Sequence, residues 1–127
     1  MRKIFFPIVV FLLAITMLTC DRSTNEPDLK ISIDAPAYNE TNGPDFNFSV
    51  RIESEMPPDG VKIICTVRGE ADNFNYPQGP EIETAAKISS LRLINLPRQK
   101  FCIATVRVIS ISKGTNNTSK DFRVVYK

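Results

Sequence analysis

The sequence predicts an all-β domain, a sandwich of six to seven antiparallel strands over residues 29–127. Two observations carry this. Apolar residues recur with period two through most of that stretch, and Gly/Pro turn signals sit between the runs. A third observation sets apart the preceding segment: residues 4–19 form one uncharged, mostly apolar run of 16 residues behind Arg2 and Lys3.

The first twenty residues, MRKIFFPIVVFLLAITMLTC, have a basic start, an apolar middle and a boundary at Cys20. That is the layout of a secretory signal peptide, expected as a helix over 1–19. A spanning helix needs about 20 apolar residues, and this run is shorter and contains Pro7. Residues 21–28, DRSTNEPD, are polar and contain no aromatic; with Cys20 they read as a flexible tether over 20–28. Met17-Leu18-Thr19-Cys20 resembles the lipobox of bacterial lipoproteins. The resemblance implies cleavage before Cys20 and acylation of its thiol with a diacylglycerol, the new amino group often taking a further fatty chain such as palmitate. Each buried methylene contributes about 0.8 kcal/mol, so two or three chains hold firmly where one does not. The implied location is the cell envelope, with the membrane as first partner through the anchor.

Along the domain, Leu29, Ile31 and Ile33 alternate with polar residues. Phe46, Phe48, Val50 and Ile52 form the second run, and Val61, Ile63, Cys65 and Val67 the third. Ile88, Leu91, Leu93 and Ile94 are less regular. Cys102, Ala104, Val106 and Val108 form the fifth, and Phe122, Val124 and Tyr126 the last. Turn formers separate them at 42–44, 57–60, 77–80 and 113–117. Residues 81–87 suit either one helical turn or an edge strand. Phe46, Phe48, Phe101 and Phe122 are expected in the core. Phe74 and Tyr76, between turn formers, and Tyr38, in a comparable loop, are the candidate ligand-binding residues, because exposed loop aromatics suit binding surfaces. The 113–119 loop ranks next.

Residues 91–97 (Leu91 to Pro97) followed by 101–108 (Phe101 to Val108) resemble the E-strand, corner and F-strand of a fibronectin type III domain, an immunoglobulin-like sandwich. Pro57-Pro58-Asp59-Gly60 and the strand after it are similar to that family's B–C turn and C-strand. Six residues after Leu96, where the family carries Tyr, this chain has Cys102. The strand order that the resemblance implies makes 61–68 and 101–109 neighbours. With Cys20 lipidated, Cys65 and Cys102 remain as a candidate disulfide pair in an oxidising compartment; two buried thiols are the alternative.

Composition narrows function by exclusion. The 127 residues contain no His, which removes Ser-His and Cys-His nucleophiles and imidazole metal ligands. Lys+Arg is 16 against 14 Asp+Glu, and loss of Arg2 and Lys3 with the leader leaves 14 against 14. Such a neutral chain offers no footprint for nucleic acid. Glu53 with Glu55 and Glu81 with Glu83 share strand phases, as solvated faces do. Asp45, Asp59 and Asp72 do not cluster as a calcium site needs. Asn39, Asn47, Asn116 and Asn117 head glycosylation-type triplets by chance in Asn-rich turns. No catalytic residue, metal or cofactor is therefore expected. The expectation is a non-enzymatic lipoprotein presenting a binding or scaffolding module, with exposed edge strands able to pair with a partner. The alternatives are an accessory glycan- or peptide-binding subunit of an uptake or degradation system, or an inhibitor of an envelope enzyme. The partner would then be another envelope protein or a glycan.

Overall fold

The computed structural model describes residues 26–127. The signal peptide expected over 1–19 and the lipid-bearing Cys20 lie outside the described residues. The described chain is all-β, with no helix. Its strands are β1 (Ile31–Ile33), β2 (Tyr38–Thr41), β3 (Phe46–Ile52), β4 (Val61–Gly69), β5 (Asn75–Tyr76), β6 (Ile82–Thr84), β7 (Ile88–Leu93), β8 (Phe101–Ser110) and β9 (Asn117–Tyr126). One sheet has the order β1-β3-β7. The other runs β2-β9-β8-β4-β5, with β6 also on β4. Every strand pairing is antiparallel except β2 with β9, which is parallel.

The period-two pattern sets which side chains meet. Phe48, Val50, Ile52, Leu91 and Leu93 are buried from the smaller sheet. Val61, Ile63, Val67, Cys102, Ala104, Val106, Val108, Phe122 and Val124 are buried from the larger. The Phe48 ring meets Phe122 edge-on across the gap, with centroids 5.1 Å apart, and Phe46 lies 5.9 Å from the same ring. Each such residue contributes about 1.5–3 kcal/mol relative to exposure. Gly60 closes the turn before β4 by donating to Pro57 O (3.0 Å). Its φ is +83°, and a Cβ there would lie 2.7 Å from Thr84 O, so only glycine fits.

Nine strands among the described residues replace the expected six or seven; those outside the six expected runs, β2, β5 and β6, are short. The region 35–41, expected as a loop, contains β2. Here the chain crosses from one sheet to the other: Asp34 pairs with Ser49 through backbone and carboxylate, and Asn39 then faces inward against Val124. The Asn39 amide donates to Pro36 O (2.8 Å) and Arg123 O (3.2 Å), so a buried polar residue interrupts the apolar alternation without cost in unmet hydrogen bonds. Residues 82–84 take the edge-strand option. The last strand begins at Asn117, five residues before the expected start, so residues 117–119 of the expected 113–119 loop are strand.

The tether expected to reach residue 28 is fastened from Glu26 onward. Asn116 Oδ1 accepts from the Leu29 N–H (2.9 Å), and its Nδ2 donates to Glu26 Oε1 and Pro27 O (both 2.9 Å). Ser112 Oγ donates to Glu26 Oε2 (2.7 Å). This clasp pins the N-terminal segment to the β8–β9 turn, the end of the domain that also holds the β3–β4 loop. The β4–β5 and β7–β8 loops lie at the opposite end, roughly 30 Å away along a ten-residue strand.

Asn116→Ala removes three hydrogen bonds, all made by one buried side chain, and is expected to cost about 1–3 kcal/mol in urea unfolding. The Ser110 and Ser112 hydroxyls, then Asn116 and Lys113, hold the Glu26 carboxyl below the usual carboxylate range. A lowered folded-state value means the clasp contributes fully above the ordinary value of 4.5 and loses its contribution as pH falls through the lowered one. Urea midpoints taken from neutral to acid pH should therefore fall less steeply in Glu26→Gln than in the parent chain.

Candidate functional site

At the end opposite the clasp, the first residue of β8 and the first of β2 come together on the outward face of the larger sheet. Phe101 is opposite Val125, and Tyr38 is opposite Arg123, which in turn is opposite Ile103. The Tyr38 and Phe101 rings are 6.3 Å apart, and Arg123 Cζ lies 5.6 Å from the Phe101 centroid, within cation–π range. Tyr38 is 42% and Phe101 49% exposed. Charged neighbours fix this patch. Arg123 pairs with Glu70. The Tyr38 hydroxyl donates to Glu40 Oε1 (3.0 Å), which also takes Lys127 Nζ at 2.8 Å. Lys127, then Tyr38, holds the Glu40 carboxyl below its ordinary range, and Glu40 pushes Lys127 up in return. Partial burial, then Glu40, raises the Tyr38 phenol.

Beside Phe101 is a cavity of about 460 Å³ between the β4–β5 and β7–β8 loops. Gly69, Ala71 and Phe101 give it an apolar wall; Glu70, Asp72, Gln99 and Lys100 supply donors and acceptors. Asp72 Oδ1 folds back to accept the Phe74 N–H (3.1 Å), and that bond holds its carboxyl low. A Cβ at Gly69 would sit 1.9 Å from the same oxygen, so glycine leaves the space into which the Asp72 carboxylate folds. Asn73 and Gln99 both take left-handed backbone at φ 58°. Lys100 Nζ lies 3.6 Å from Asp72, while Glu70 is held by Arg123. Each carboxylate in the cavity thus has its own cation. The arrangement suits a neutral ligand with an apolar face and several hydroxyls or amides.

The predicted site residues fall into two sets. Phe74, 59% exposed, packs on Tyr76 at 4.9 Å. Tyr76 is opposite Val67 and therefore faces the core side of the sheet, where it is half-buried. Tyr38 instead joins Phe101. The sequence had placed Phe101 in the core, and the structure corrects this. Phe101 shares the phase of Ile103, Thr105 and Arg107, off the buried row of Cys102 to Val108, and that phase was the available signal.

The disulfide expected between Cys65 and Cys102 is not formed; both thiols are free. The strands are neighbours, but Cys65 is opposite Val106 and Cys102 opposite Gly69. Four residues of register separate them, roughly 13 Å along the strands, against the 4.4–6.8 Å or so between Cα atoms that a disulfide requires. Burial pushes the Cys65 thiol up to about 11. Burial, then Asp72, raises Cys102.

The expected acid pairs are divided by exposed partners. Glu53 accepts from Ser32 (2.6 Å) and lies 3.7 Å from Arg51, and Glu81 lies 3.5 Å from Lys62. Among the described residues, no three His, Cys, Asp or Glu side chains group as metal ligands. No protein-family model matches the chain, and no curated protein matches it in sequence.

Native-state alkylation near neutral pH should leave Cys65 and Cys102 unmodified, with both reacting once the chain is unfolded. Reductant should leave the unfolding midpoint unchanged. A two-dalton mass gain per chain on reduction, mapped to these cysteines, would contradict the register.

Proposed function

We propose that the chain is a lipoprotein of the cell envelope, anchored through acylated Cys20, that presents a non-catalytic binding or scaffolding module. Within the all-β architecture, the reading we favour is an immunoglobulin-like sandwich of the fibronectin type III kind. Its support is the order β1-β3-β7 against β9-β8-β4, with β2 crossing over to lie parallel to the last strand.

One observation carries the functional reading: the two ends of the domain are differentiated. The N-terminal segment is clasped at one end by Asn116 and Ser112. The exposed Tyr38–Phe101–Arg123 surface and its adjoining cavity occupy the other. Five residues lie between Cys20 and Glu26, and the six extended steps from one to the other reach at most about 20 Å. An anchor on Cys20 would hold the clasp end close to the bilayer and turn the aromatic end outward. Confinement to a surface then raises the effective concentration of that end near envelope partners. The absence of His from the sequence favours a module without nucleophilic or imidazole chemistry.

The cavity supports a second reading, an accessory subunit for a glycan. Sugars are neutral, present an apolar ring face to an aromatic wall and offer hydroxyls to groups such as Gln99 and Asp72.

Two measurements test these readings. Palmitate labelling of the expressed full chain should place label on the protein and lose it in Cys20→Ser. Envelope cross-linking should capture a partner through the aromatic end. Tyr38→Ala with Phe101→Ala should weaken that capture by about 2 kcal/mol or more if these rings anchor the contact. Unlabelled protein would overturn the anchor; capture unaffected by the double substitution would overturn the site. Under the glycan reading, neutral oligosaccharides should shift the NMR signals of Gln99 and Phe101.

A further inference from the structure

β7 is the edge of the smaller sheet, and its hydrogen-bonding phase can be read from its pairing with β3. The Ile52 N–H donates to Lys87 O at 2.8 Å, in register with Arg51 opposite Ile88. Antiparallel ladders alternate, so residues 87, 89, 91 and 93 bond to β3. The N–H and C=O of Ile88, Ser90 and Arg92 therefore point away from it. Ile94 continues this outward phase, and there the Gln78 side chain takes both groups, accepting the N–H (2.9 Å) and donating to the C=O (2.8 Å). Among the described residues, nothing takes the corresponding groups of Ile88, Ser90 and Arg92.

Two further observations mark this edge. The other marginal strands, β1, β2, β5 and β6, have two to four residues and β7 has six; β9 beyond the reach of β2 leaves a second open row at Asn117, Ser119 and Asp121, but that row carries the edge charge of Asp121 beside Lys120. Short edges are a protection against pairing, and β7 has neither that protection nor a proline or inward-pointing charge. The seam between the sheets is also open here. A crevice of about 320 Å³, lined by Ile63, Cys65, Ile82 and Leu91 among others, leaves Cys65 half-buried although it is in the inward phase. Ile88 is 55% and Ile82 40% exposed beside it.

We propose that β7 pairs with β7 of a second copy of this chain, antiparallel about a two-fold axis at Ser90. In that register Ser90 is opposite Ser90, and each Ile88 is opposite the other chain's Arg92, so no like charges meet. Arg92 is already matched by Asp45 of its own chain, and its aliphatic stem is left to cover Ile88. Each Ser89 is opposite a Leu91, on the side of the crevice. The product is one continuous six-stranded sheet, β1-β3-β7-β7-β3-β1, joined by an isologous contact. This self-complementarity favours a second copy over an unrelated extended peptide. Such a pairing falls at the small end of interface sizes, below about 1,200 Å², so the dimer is concentration-dependent. The inference is independent of the anchor and of the aromatic end.

The test uses the full chain with Cys20→Ser and Cys65→Ala, Cys102 being wholly buried, so that only an introduced thiol reports. Ser90→Cys places two sulfurs across the axis on the exposed face. Directly opposed strand residues have Cα atoms about 5.5 Å apart, within disulfide range. Arg107→Cys, exposed on β8 and paired on both sides, is the control. On mild oxidation at concentrations raised toward the solubility limit, Ser90→Cys should yield covalent dimer well in excess of Arg107→Cys. Adding Ile88→Lys sets a lysine opposite each Arg92 without touching the core, and should cut that yield severalfold while the unfolding midpoint holds. Equal yields from the two cysteine variants would overturn the pairing, and so would a yield indifferent to Ile88→Lys. A chain that remains monomeric but binds an extended peptide along β7 would transfer the edge to a foreign strand and equally refute the dimer.

Discussion

β8 is paired over nine positions to β4 and over nine to β9. Its inward residues, Cys102, Ala104, Val106 and Val108, are almost wholly inaccessible. These are small or β-branched side chains, and their low profile leaves room for the Phe48 and Phe122 rings to meet across the sheets. The register of this strand is the constraint on which the other features rest. A slip of one residue would carry the whole row to the solvent face and bring Phe101, Ile103 and Arg107 inward. Burying Arg107 without a partner would be far costlier than exposing Phe101. Phe101 is therefore held on the surface by the later residues of its own strand. The same register sets Gly69 opposite Cys102, and so places the Asp72 turn against the Phe101 cavity.

The features that could be read from the chain are those written in period two over five or more residues. β3, β4 and β8 were legible to within a residue or two because their alternation is uninterrupted. The adjacency of β4 and β8 came from the resemblance of strand and corner. Adjacency does not fix register, however, and the cysteine pair failed at that step. Its two residues share a face and neighbouring strands but lie four positions apart. β2 was hidden because Tyr38-Asn39-Glu40-Thr41 has a polar residue in the inward place. Only carbonyls supplied by Pro36 and Arg123 make that placement acceptable. At the aromatic end, the exposure expected of Tyr38 and Phe74 is observed, although Tyr38 opens β2 and does not sit in a loop. The expected loop position could not say that their ring partners would be Phe101 and Tyr76, since those pairings come from the sheet.

Without a disulfide between β4 and β8, the described domain relies on its core and on local polar fastenings. The clasp illustrates the second. Asn116 uses its carboxamide as a substitute for strand pairing, satisfying the Leu29 N–H and Pro27 C=O while gripping Glu26. Gln78 does the same for Ile94 at the opposite end of the molecule. In both cases a side-chain amide, which carries a donor and an acceptor in one plane, ends a run of backbone pairing where no further strand is available. These amides are invisible to hydropathy because they are polar residues in polar segments.

The two amides also differ in what they leave uncovered. Asn116 completes its end: the segment from Glu26 is held, and Leu29 is delivered to the core. Gln78 covers only the last outward-phase residue of its edge, and the next three along β7 remain open. An edge shielded throughout would need an amide or charge at every second position, and the 77–87 segment cannot supply them, because β6 within it is committed to β4. Each sheet thus keeps one uncovered row of three residues: Ile88, Ser90 and Arg92 on β7, and Asn117, Ser119 and Asp121 on β9 where β2 does not reach. The β9 row carries the charge of Asp121 beside Lys120, which an edge uses against pairing, whereas the one charge on the β7 row, Arg92, is already matched by Asp45.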